Sequence, residues 1–235
     1  MRFNIRMAGV GGQGVVTASH VFSTAVINAG GESTIVPFYG SEKRMAPVES
    51  YVRVSSEQIF EIGEIMFPHI ILVFHPQVIT HGKSYTMPFH FGIKDNGTIL
   101  VNSKEEIPLP TDEMAVLVAR GVQFRYIAAT QMALDVAGTD LATNMVLVGA
   151  IAGITGLATR EAVAQAVKER FLGKGFVVSG GTASLDSVVE RKFKHKQELL
   201  EKNIAAVNAG WDYAEAHNWQ MSKKKEAVAA PAGRK

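Results

Sequence analysis

The stretch Ile5-Arg6-Met7-Ala8-Gly9-Val10-Gly11-Gly12-Gln13-Gly14-Val15-Val16 constrains the fold of this chain more than any other. An apolar run leads directly into four glycines within six residues, and a helix-forming run follows without a break. This order predicts a buried strand, a tight turn and a helix whose first backbone N–H groups face outward. Because those N–H groups lie at the positive end of the helix dipole, they favour an anion at the turn.

The first forty residues predict a β-α-β unit. A helix is expected from Gln13 to Asn28, Gly30-Gly31 ends it, and a strand follows at Ser33–Phe38. A crossover of this kind implies parallel strands. We therefore expect an α/β fold with a Rossmann-like β-α-β start, a mostly parallel central sheet, helices on both faces and a long C-terminal helix.

The remaining chain alternates short apolar runs with helical patterns. Further strands are expected at Glu49–Ser55, His69–Phe74, Thr98–Asn102, Val116–Val118 and Gln123–Ile127. Further helices are expected at Thr130–Ala137, Thr143–Ile154, Thr159–Arg170 and Leu185–Tyr213, with Thr159 as an N-cap. We predict one α/β domain over residues 1–218 and a basic, disordered tail over 219–235.

Composition and charge exclude several classes of protein. The chain has no cysteine, so it cannot supply thiolates to an iron–sulfur cluster or to zinc. The last fourteen residues hold five Lys or Arg and one Glu, which leaves a net charge of −2 on the rest and argues against nucleic-acid binding. Apolar runs are too short to span a bilayer, and Met1-Arg2-Phe3 enters a strand at once, so no membrane association and a cytoplasmic location are expected.

Three ligand states of the glycine turn stay open on the residues alone. Gly9-Val10-Gly11-Gly12-Gln13-Gly14 formally matches the dinucleotide fingerprint. An NAD site also needs an acidic residue at the end of the second strand, whereas this strand ends Val36-Pro37-Phe38-Tyr39. The turn therefore binds NAD or FAD, binds the phosphate of another ligand, or is structural with no ligand.

The candidate binding residues lie on the turn, on the first helix and on the loop after the second strand. They are Gly9, Gly11, Gly12, Gln13, Gly14, Thr17, Ser19, Lys43 and Arg44. The two cations would oppose the free N–H groups across an anion. Asn144 is expected either to cap its helix or to reach a neighbouring site. The histidines at 69, 75, 81 and 90 lack the spacing of metal ligands, and we predict no metal site and no self-contained catalytic set.

Four segments in order resemble the gamma subunit of the 2-oxoacid:ferredoxin (or flavodoxin) oxidoreductases. They are Ile5–Ser19, the loop and strand Tyr39–Ser55, the helix start Thr143-Asn144-Met145-Val146-Leu147-Val148-Gly149-Ala150, and Glu201–Ala206 with Gly210. Together they cover residues 3–213. The chain differs from the family loop at Ser41 and at Met45-Ala46, where the family has proline and two glycines.

The resemblance implies a subunit of an enzyme that oxidatively decarboxylates a 2-oxoacid to an acyl-CoA. It further implies that thiamine diphosphate, Mg and [4Fe-4S] clusters belong to the partner alpha, beta and ferredoxin-like delta subunits, and that the isolated chain is inactive. It assigns the glycine turn, with Thr17 and Ser19, to the phosphates of coenzyme A, assisted by Lys43 or Arg44. The 2-oxoacid and the electron acceptor stay open, and so do two alternatives, a stand-alone NAD(P)-binding oxidoreductase and a purely structural scaffold.

Overall fold

A computed structural model describes residues 1–40, 45–173 and 183–221, and from 183 to 195 it describes the backbone alone. Strands within these residues are β1 (Arg2–Val10), β2 (Glu32–Tyr39), β3 (Pro47–Ser55), β4 (Ile70–Val73), β5 (Thr98–Asn102) and β6 (Gln123–Ile127). Helices are α1 (Val15–Asn28), α2 (Gln77–Thr80), α3 (Thr111–Ala119), α4 (Ala129–Ala137), α5 (Thr143–Thr155), α6 (Arg160–Leu172) and α7 (Ala183–Ala216), and a 3₁₀ turn covers Asp140–Ala142.

The strands form one sheet in the order β2-β3-β1-β4-β5-β6. Strands β1, β4, β5 and β6 run parallel, and β3 runs antiparallel to both β1 and β2. The predicted α/β fold with a mostly parallel sheet is confirmed. Because β3 returns directly from β2 and pairs with β1, the two strands of the opening β-α-β unit share a direction but are separated by β3.

Helices α1, α4, α5, α6 and α7 cover one face of the sheet. Odd-numbered residues of β1 (Phe3, Ile5, Met7) pack into this apolar core, as the period of two in a strand requires. Helices α5 and α7 approach closely, since a Cβ on Gly149 would overlap the Val207 carbonyl and one on Gly210 would overlap the Val146 carbonyl. The predicted long C-terminal helix, α7, therefore packs closely against α5 in the core.

The opposite face carries α2, α3 and two irregular segments, residues 56–69 and 81–97. Over β4 and β5 it is apolar, with Ile71, Val73, Ile99 and Val101 in a second core cluster. Over β1 and β3 it is polar, because Arg6 and Glu49 point to this side and are buried. Helices therefore lie on both faces. The first face is closed by apolar packing, whereas the opposite face combines apolar packing over β4 and β5 with buried polar groups over β1 and β3.

The predicted strand at Val116–Val118 is wrong, because these residues lie in α3. Val116 and Val118 are 58% and 62% exposed, while Leu117 between them is buried. Asp112 and Glu113 lie in the first turn of α3, where carboxylates complement the helix dipole. Helix signals at its start therefore prevail over the β-propensity of its valines.

The C-terminal end of the described chain packs on the domain. The Met221 N–H donates to the Ile154 carbonyl at 2.9 Å, and the Trp219 carbonyl accepts from Arg125. Trp219 and Met221 also contact the core of the helical face. The domain thus includes residues 219–221, and the rest of the predicted tail, 222–235, lies outside the described residues.

Candidate functional site

The glycine turn lies at the carboxyl edge of the sheet, between the end of β1 and the start of α1. Gly14 has a left-handed φ of 72° and precedes the first residue of α1. The N–H groups of the first helical turn have no intrahelical partner by geometry, no side chain caps them, and no acidic residue lies in that turn. Among the residues that the structure describes, these donors therefore have no partner, and they lie at the positive end of a 14-residue helix.

Two of the glycines are required by close approach. A Cβ on Gly9 would lie 2.6 Å from Val15 Cγ2 and 2.9 Å from Phe74 Cβ, so this glycine lets α1 pack down on the strand end. A Cβ on Gly14 would overlap the side-chain amide of Asn144. Gly12, by contrast, has a φ of 99° and open space around it. Within the described residues the backbone of Gly12 is therefore open to the approach of a ligand.

The turn is hydrogen-bonded to the segment before β3. The Gly11 N–H donates to the Ala46 carbonyl at 2.8 Å, and the Met45 N–H donates to the Gly11 carbonyl at 3.3 Å. The ladder between β1 and β3 thus continues past Val10 and Pro47. Gly11 uses its own amide in this ladder, which leaves ligand contacts to Gly12 and to the start of α1.

An apolar pocket of about 650 Å³ lies on the β3 side of the turn. The side chains of Val10, Val16, Tyr39 and Val48 line it, together with the backbone of the turn. Thr17, which lies one turn into the helix, also lines it. Tyr39 is 62% exposed at the end of β2, so its ring is available to a ligand.

A polar pocket of about 300 Å³ lies on the β4 side of the same turn. Its lining includes Gly12, Gln13 and Gly14 from the turn. The other contributions come from later in the chain and are mostly polar: His75, Thr130, Asp140, Thr143 and Asn144, with the apolar Leu141 beside them. This pocket lies beyond the carboxyl ends of β1 and β4, where the following helices α1 and α2 lie on opposite faces of the sheet. Open α/β sheets bind ligands at such a place.

Asn144 reaches the turn rather than capping its helix. The N-cap of α5 is Ala142, without a side-chain hydrogen bond. The Asn144 Nδ2 donates to the Gly14 carbonyl at 3.5 Å, and the Oδ1 is buried without a hydrogen-bond partner in the described part of the chain. Of the two roles predicted for Asn144, the structure shows the contact with a neighbouring element, here the glycine turn, and not the helix cap.

Two predicted residues fall elsewhere. Ser19 is fully buried, and its hydroxyl donates to the Val16 carbonyl at 2.9 Å. It lines neither pocket, because it lies on the face of α1 that packs into the core. Lys43 and Arg44 lie outside the described residues, and the neighbouring Gly40 lines the apolar pocket.

Sequence reasoning missed His75 and Thr130 as site residues. His75 follows β4, and its Nδ1 accepts from the Gln77 N–H at 3.2 Å. Burial, with Lys83 and His81 nearby, lowers the pKa of His75, so the ring is neutral and its Nε2 carries the proton. Thr130 is held by Asn102, whose Nδ2 donates to its hydroxyl at 3.1 Å. The signal that was available is position, since both residues follow parallel strands at one edge.

A buried carboxylate supports the wall of the apolar pocket. Glu49, next to Val48, accepts hydrogen bonds from Ser84 Oγ at 2.6 Å, from the Thr86 N–H at 2.8 Å and from the Tyr51 hydroxyl at 2.9 Å. These bonds fix Tyr85, whose ring meets Phe38 edge-on at 4.6 Å between centroids. Glu49 therefore anchors the loop that borders the end of β2.

Within the described residues no acidic side chain occurs at the end of β2, where a dinucleotide site would hold the ribose. The strand ends at Tyr39, and the ring of the adjacent Phe38 packs edge-on against the ring of Tyr85. Over residues 1–40, 45–173 and 183–221 there is also no cluster of metal-ligating side chains. The same ranges contain no helix with the length and hydrophobicity needed to cross a bilayer. What the site offers is a set of backbone donors between an apolar and a polar pocket.

Such a site defines the class of protein, namely an open α/β domain with a glycine turn at a strand switch point. The family model described as pyruvate ferredoxin/flavodoxin oxidoreductase matches residues 4–180. The chain therefore belongs to that family. The resemblance to its gamma subunits that the sequence predicted is confirmed.

Named relatives agree with this assignment. The chain is 34% identical over 172 residues to the pyruvate/ketoisovalerate oxidoreductases common subunit gamma of Thermococcus kodakarensis, covering 72% of this chain and 86% of the relative. It is 29% identical over 191 residues to the pyruvate synthase subunit PorC of Methanothermobacter marburgensis, covering 81% of this chain and 97% of the relative.

Solved structures share the fold at lower identity. The pyruvate oxidoreductase subunit PORC of Thermotoga maritima superposes with a TM-score of 0.64 at 20% identity, over 90% of this chain and 96% of that one. The 2-oxoglutarate:ferredoxin oxidoreductase of Magnetococcus marinus, with 2-oxoglutarate, coenzyme A and succinyl-CoA bound, gives 0.63 at 18% identity. The match covers 92% of this chain and 31% of that larger chain.

Proposed function

We propose that this chain is the gamma subunit of a multisubunit 2-oxoacid oxidoreductase and forms part of its coenzyme A site. The observation that carries the proposal is the glycine turn, with uncapped N–H groups at α1 and a pocket on either side. Coenzyme A has a pyrophosphate, which suits backbone donors at a helix N-terminus. The absence of cysteine means that the clusters must be held by other chains.

In this proposal the chain binds and positions the acyl acceptor and does no chemistry alone. Gly12 admits the phosphates, the first turn of α1 supplies N–H donors, and Thr17 adds a hydroxyl from within the apolar pocket. Thiamine diphosphate with its Mg and the [4Fe-4S] clusters would supply decarboxylation and electron transfer on the alpha, beta and delta partners. Lys43 and Arg44 remain predicted contacts of the phosphates.

The test is the Michaelis constant for coenzyme A in the assembled enzyme carrying Gly12→Ala. An alanine at a φ of 99° strains the turn, and its methyl group occupies the open space over it. We expect the KM for coenzyme A to rise about tenfold, with kcat at saturating coenzyme A within about twofold of wild type, because only binding is disturbed.

The matched control is Gly30→Ala at the other end of the same helix. Gly30 has a φ of 85° and equally open surroundings, so the backbone strain is similar while the turn is untouched. If both variants leave the KM for coenzyme A unchanged, the chain is a structural scaffold. Micromolar binding of NADH to the pure chain would instead support the dinucleotide alternative.

Assembly has its own test. The native chain should co-purify with partner chains that carry thiamine diphosphate and iron–sulfur clusters. Isolation of the chain alone from its native source, with neither kind of partner, would contradict the proposal.

A further inference from the structure

A third pocket, of about 450 Å³, lies on the face of the sheet opposite to the helical core. The strands contribute Arg6, Phe38 and Tyr51 to its lining, and the irregular segments 56–69 and 81–97 contribute the rest. It shares no lining residue with either pocket at the glycine turn. We call it the inter-segment pocket, because the two irregular segments form most of its walls.

The walls of the inter-segment pocket are apolar and incompletely covered. They consist of aromatic rings and thioethers that are between 39% and 59% exposed, namely those of Phe38, Met66, Tyr85, Met87 and Phe91. Phe60, Ile62 and Phe67 add exposed apolar surface along the first irregular segment. Exposed apolar groups concentrated on one face mark a contact surface for another protein, and aromatic and methionine side chains are enriched in such surfaces.

The described groups of this pocket carry an excess of negative charge. Arg6 is buried at the floor, and the buried carboxylate of Glu49 accepts hydrogen bonds from Tyr51 and Thr86 of the lining. Burial lowers the pKa of Arg6, whereas Glu49 and Glu64 act in the opposite direction, so both carboxylates lie within electrostatic reach of the guanidinium. Glu64 is exposed and forms no ion pair with any described residue. One positive and two negative groups therefore leave one negative charge in excess.

Aromatic faces beside an unpaired carboxylate suit the side chain of an arginine. The face of an aromatic ring attracts a cation, and a guanidinium also stacks on the ring as a plane. The aliphatic stem of arginine packs against apolar groups such as the two thioethers, while its charged head reaches the carboxylate. A lysine ammonium is more strongly hydrated and cannot stack. An apolar side chain in the pocket would leave the Glu64 carboxylate desolvated without a partner.

We propose that the inter-segment pocket receives an arginine side chain of a partner subunit, stacked on Phe91 and paired with Glu64. The inference rests on the proposed function above, which supplies the partner subunits. Arginines that enter a pocket of the partner rank among the side chains that dominate affinity at protein interfaces, where weaker contacts around them exclude water. Phe60, Ile62 and Phe67 offer such surrounding contacts.

The first test reverses the charge of the pocket in the assembled complex. Glu64→Lys should weaken the association of the chain with its partners about a hundredfold, because it removes a desolvated ion pair and adds a like charge. Sedimentation of the purified complex over a dilution series measures the dissociation constant. Glu64→Gln, which removes the charge at nearly constant volume, should weaken association about tenfold and replaces Glu64→Lys if that variant does not fold.

The matched control is Glu57→Lys on the same irregular segment. Glu57 is exposed and does not line the pocket. Both lysine variants change the net charge by the same amount, so the long-range attraction between the subunits changes alike, and Glu57→Lys should weaken association less than about threefold. Equal losses in both variants would overturn the proposal, because they would show a general charge effect and no contact at Glu64.

Phe91→Leu separates a cation from an apolar occupant. Leucine keeps an apolar wall but removes the aromatic face, so association should weaken about fivefold if a guanidinium stacks there. An unchanged dissociation constant would overturn the arginine as occupant, since an apolar side chain packs against leucine as well as against phenylalanine.

A photo-cross-linker identifies the occupant directly. The amino acid p-benzoylphenylalanine in place of Met87, which is exposed at the wall, should cross-link to a partner chain, and the cross-linked peptide should contain an arginine. A cross-link within this chain, to a second copy of it, or to a peptide without arginine would overturn the proposal. An intact wild-type complex that is insensitive to Glu64→Lys refutes this docking site alone, whereas a wild-type chain that forms no complex refutes the proposed function.

Discussion

The two faces of the sheet are closed by different means. On the helical face, α1 and α4–α7 bury apolar side chains such as Phe22 and Leu72 completely. On the opposite face, over β1 and β3, Arg6 and Glu49 are buried beneath irregular segments. Helices pair their own backbone groups, so packing them requires only complementary shape. An irregular segment brings unpaired carbonyls to the sheet, and the sheet has to supply donors.

Arg6 and Arg53 supply most of those donors. The Arg6 guanidinium donates to the Phe91 and Ile65 carbonyls at 2.9 Å each. Arg53 donates to the Gly63 and Glu64 carbonyls at 2.7 and 2.8 Å. Because the inward contacts of residues 60–67 are largely polar, several of their large apolar side chains face outward, among them Phe60 at 80% and Ile62 at 85% exposure.

The largest effect that this comparison predicts is that of Arg6→Met. The variant leaves the carbonyls of both irregular segments without donors, so the free energy of unfolding should fall by about 4 kcal/mol. Chemical denaturation of the full-length chain measures it. Arg2→Met, which breaks a solvent-exposed ion pair with Glu61, should have a much smaller effect because water and salt screen that pair. Similar small losses of unfolding free energy for both variants would contradict the idea that buried hydrogen bonds hold the irregular segments on this face of the sheet.

Gly149→Ala tests the helical face, where shape is the expected determinant. A methyl group at this position forces α5 and α7 apart, and the expected loss is about 2–3 kcal/mol. Gly153→Ala in the same helix meets its nearest atom, Ala214 Cβ, at 3.3 Å and should cost less than about 1 kcal/mol. Thermal unfolding of both variants compares them, and equal losses would show that the crossing is not sterically limited.

Glu49→Gln should reduce the free energy of unfolding by about 2 kcal/mol at neutral pH, because an amide cannot accept all the bonds that the carboxylate accepts. Burial by itself would raise the pKa of Glu49, but hydrogen bonds from Ser84, Thr86 and Tyr51 outweigh it and hold the pKa below 4.5. The stabilisation is therefore present above pH 4.5 and is lost as the pH falls through the folded-state pKa. Glu57→Gln, at an exposed position, should leave the acid unfolding curve unchanged, and an equal shift in both variants would refute the prediction.

His69 should contribute the smallest effect, in a different pH range. Burial, with Lys94 and Arg2 nearby, lowers the pKa of His69 to about 4, and its Nδ1 accepts the Asn4 N–H at 2.9 Å. Since the unfolded chain binds the proton first, the free energy of unfolding should fall by about 1–2 kcal/mol between pH 6.5 and 4, a value reduced for partial exposure. His69→Asn should flatten this slope in pH-dependent denaturation, whereas His81→Asn should preserve it.

Local signals account for the parts of the fold that the sequence predicted. The apolar run, the glycines and the helix pattern are contiguous, and β5 was predicted with its observed bounds, Thr98–Asn102. The insertion of β3 between β1 and β2 was not predicted, because strand order depends on pairing between distant segments. The error in α3 has a different cause, since its exposed valines imitate a strand.

In the candidate site, too, residues that are contiguous in sequence were predicted and residues from distant segments were not. The glycine turn was predicted from contiguous residues, and so was Thr17 on α1. His75, which follows β4, and Thr130, on α4, join it from distant parts of the chain, and only their position after parallel strands indicates them. Arg6 was not predicted as a buried residue, because its partners are backbone carbonyls and these leave no trace in the identity of the residues.

The hydrogen bond from Met221 to Ile154 has a practical consequence. Ile154 is ten residues from Asn144 along α5, which corresponds to about 15 Å at the rise of an α-helix. Met221 therefore lies at the side of the domain away from the polar pocket. An affinity handle or a fluorescent dye coupled at this point would leave the mouth of that pocket open, so immobilised protein can be used directly in ligand titrations.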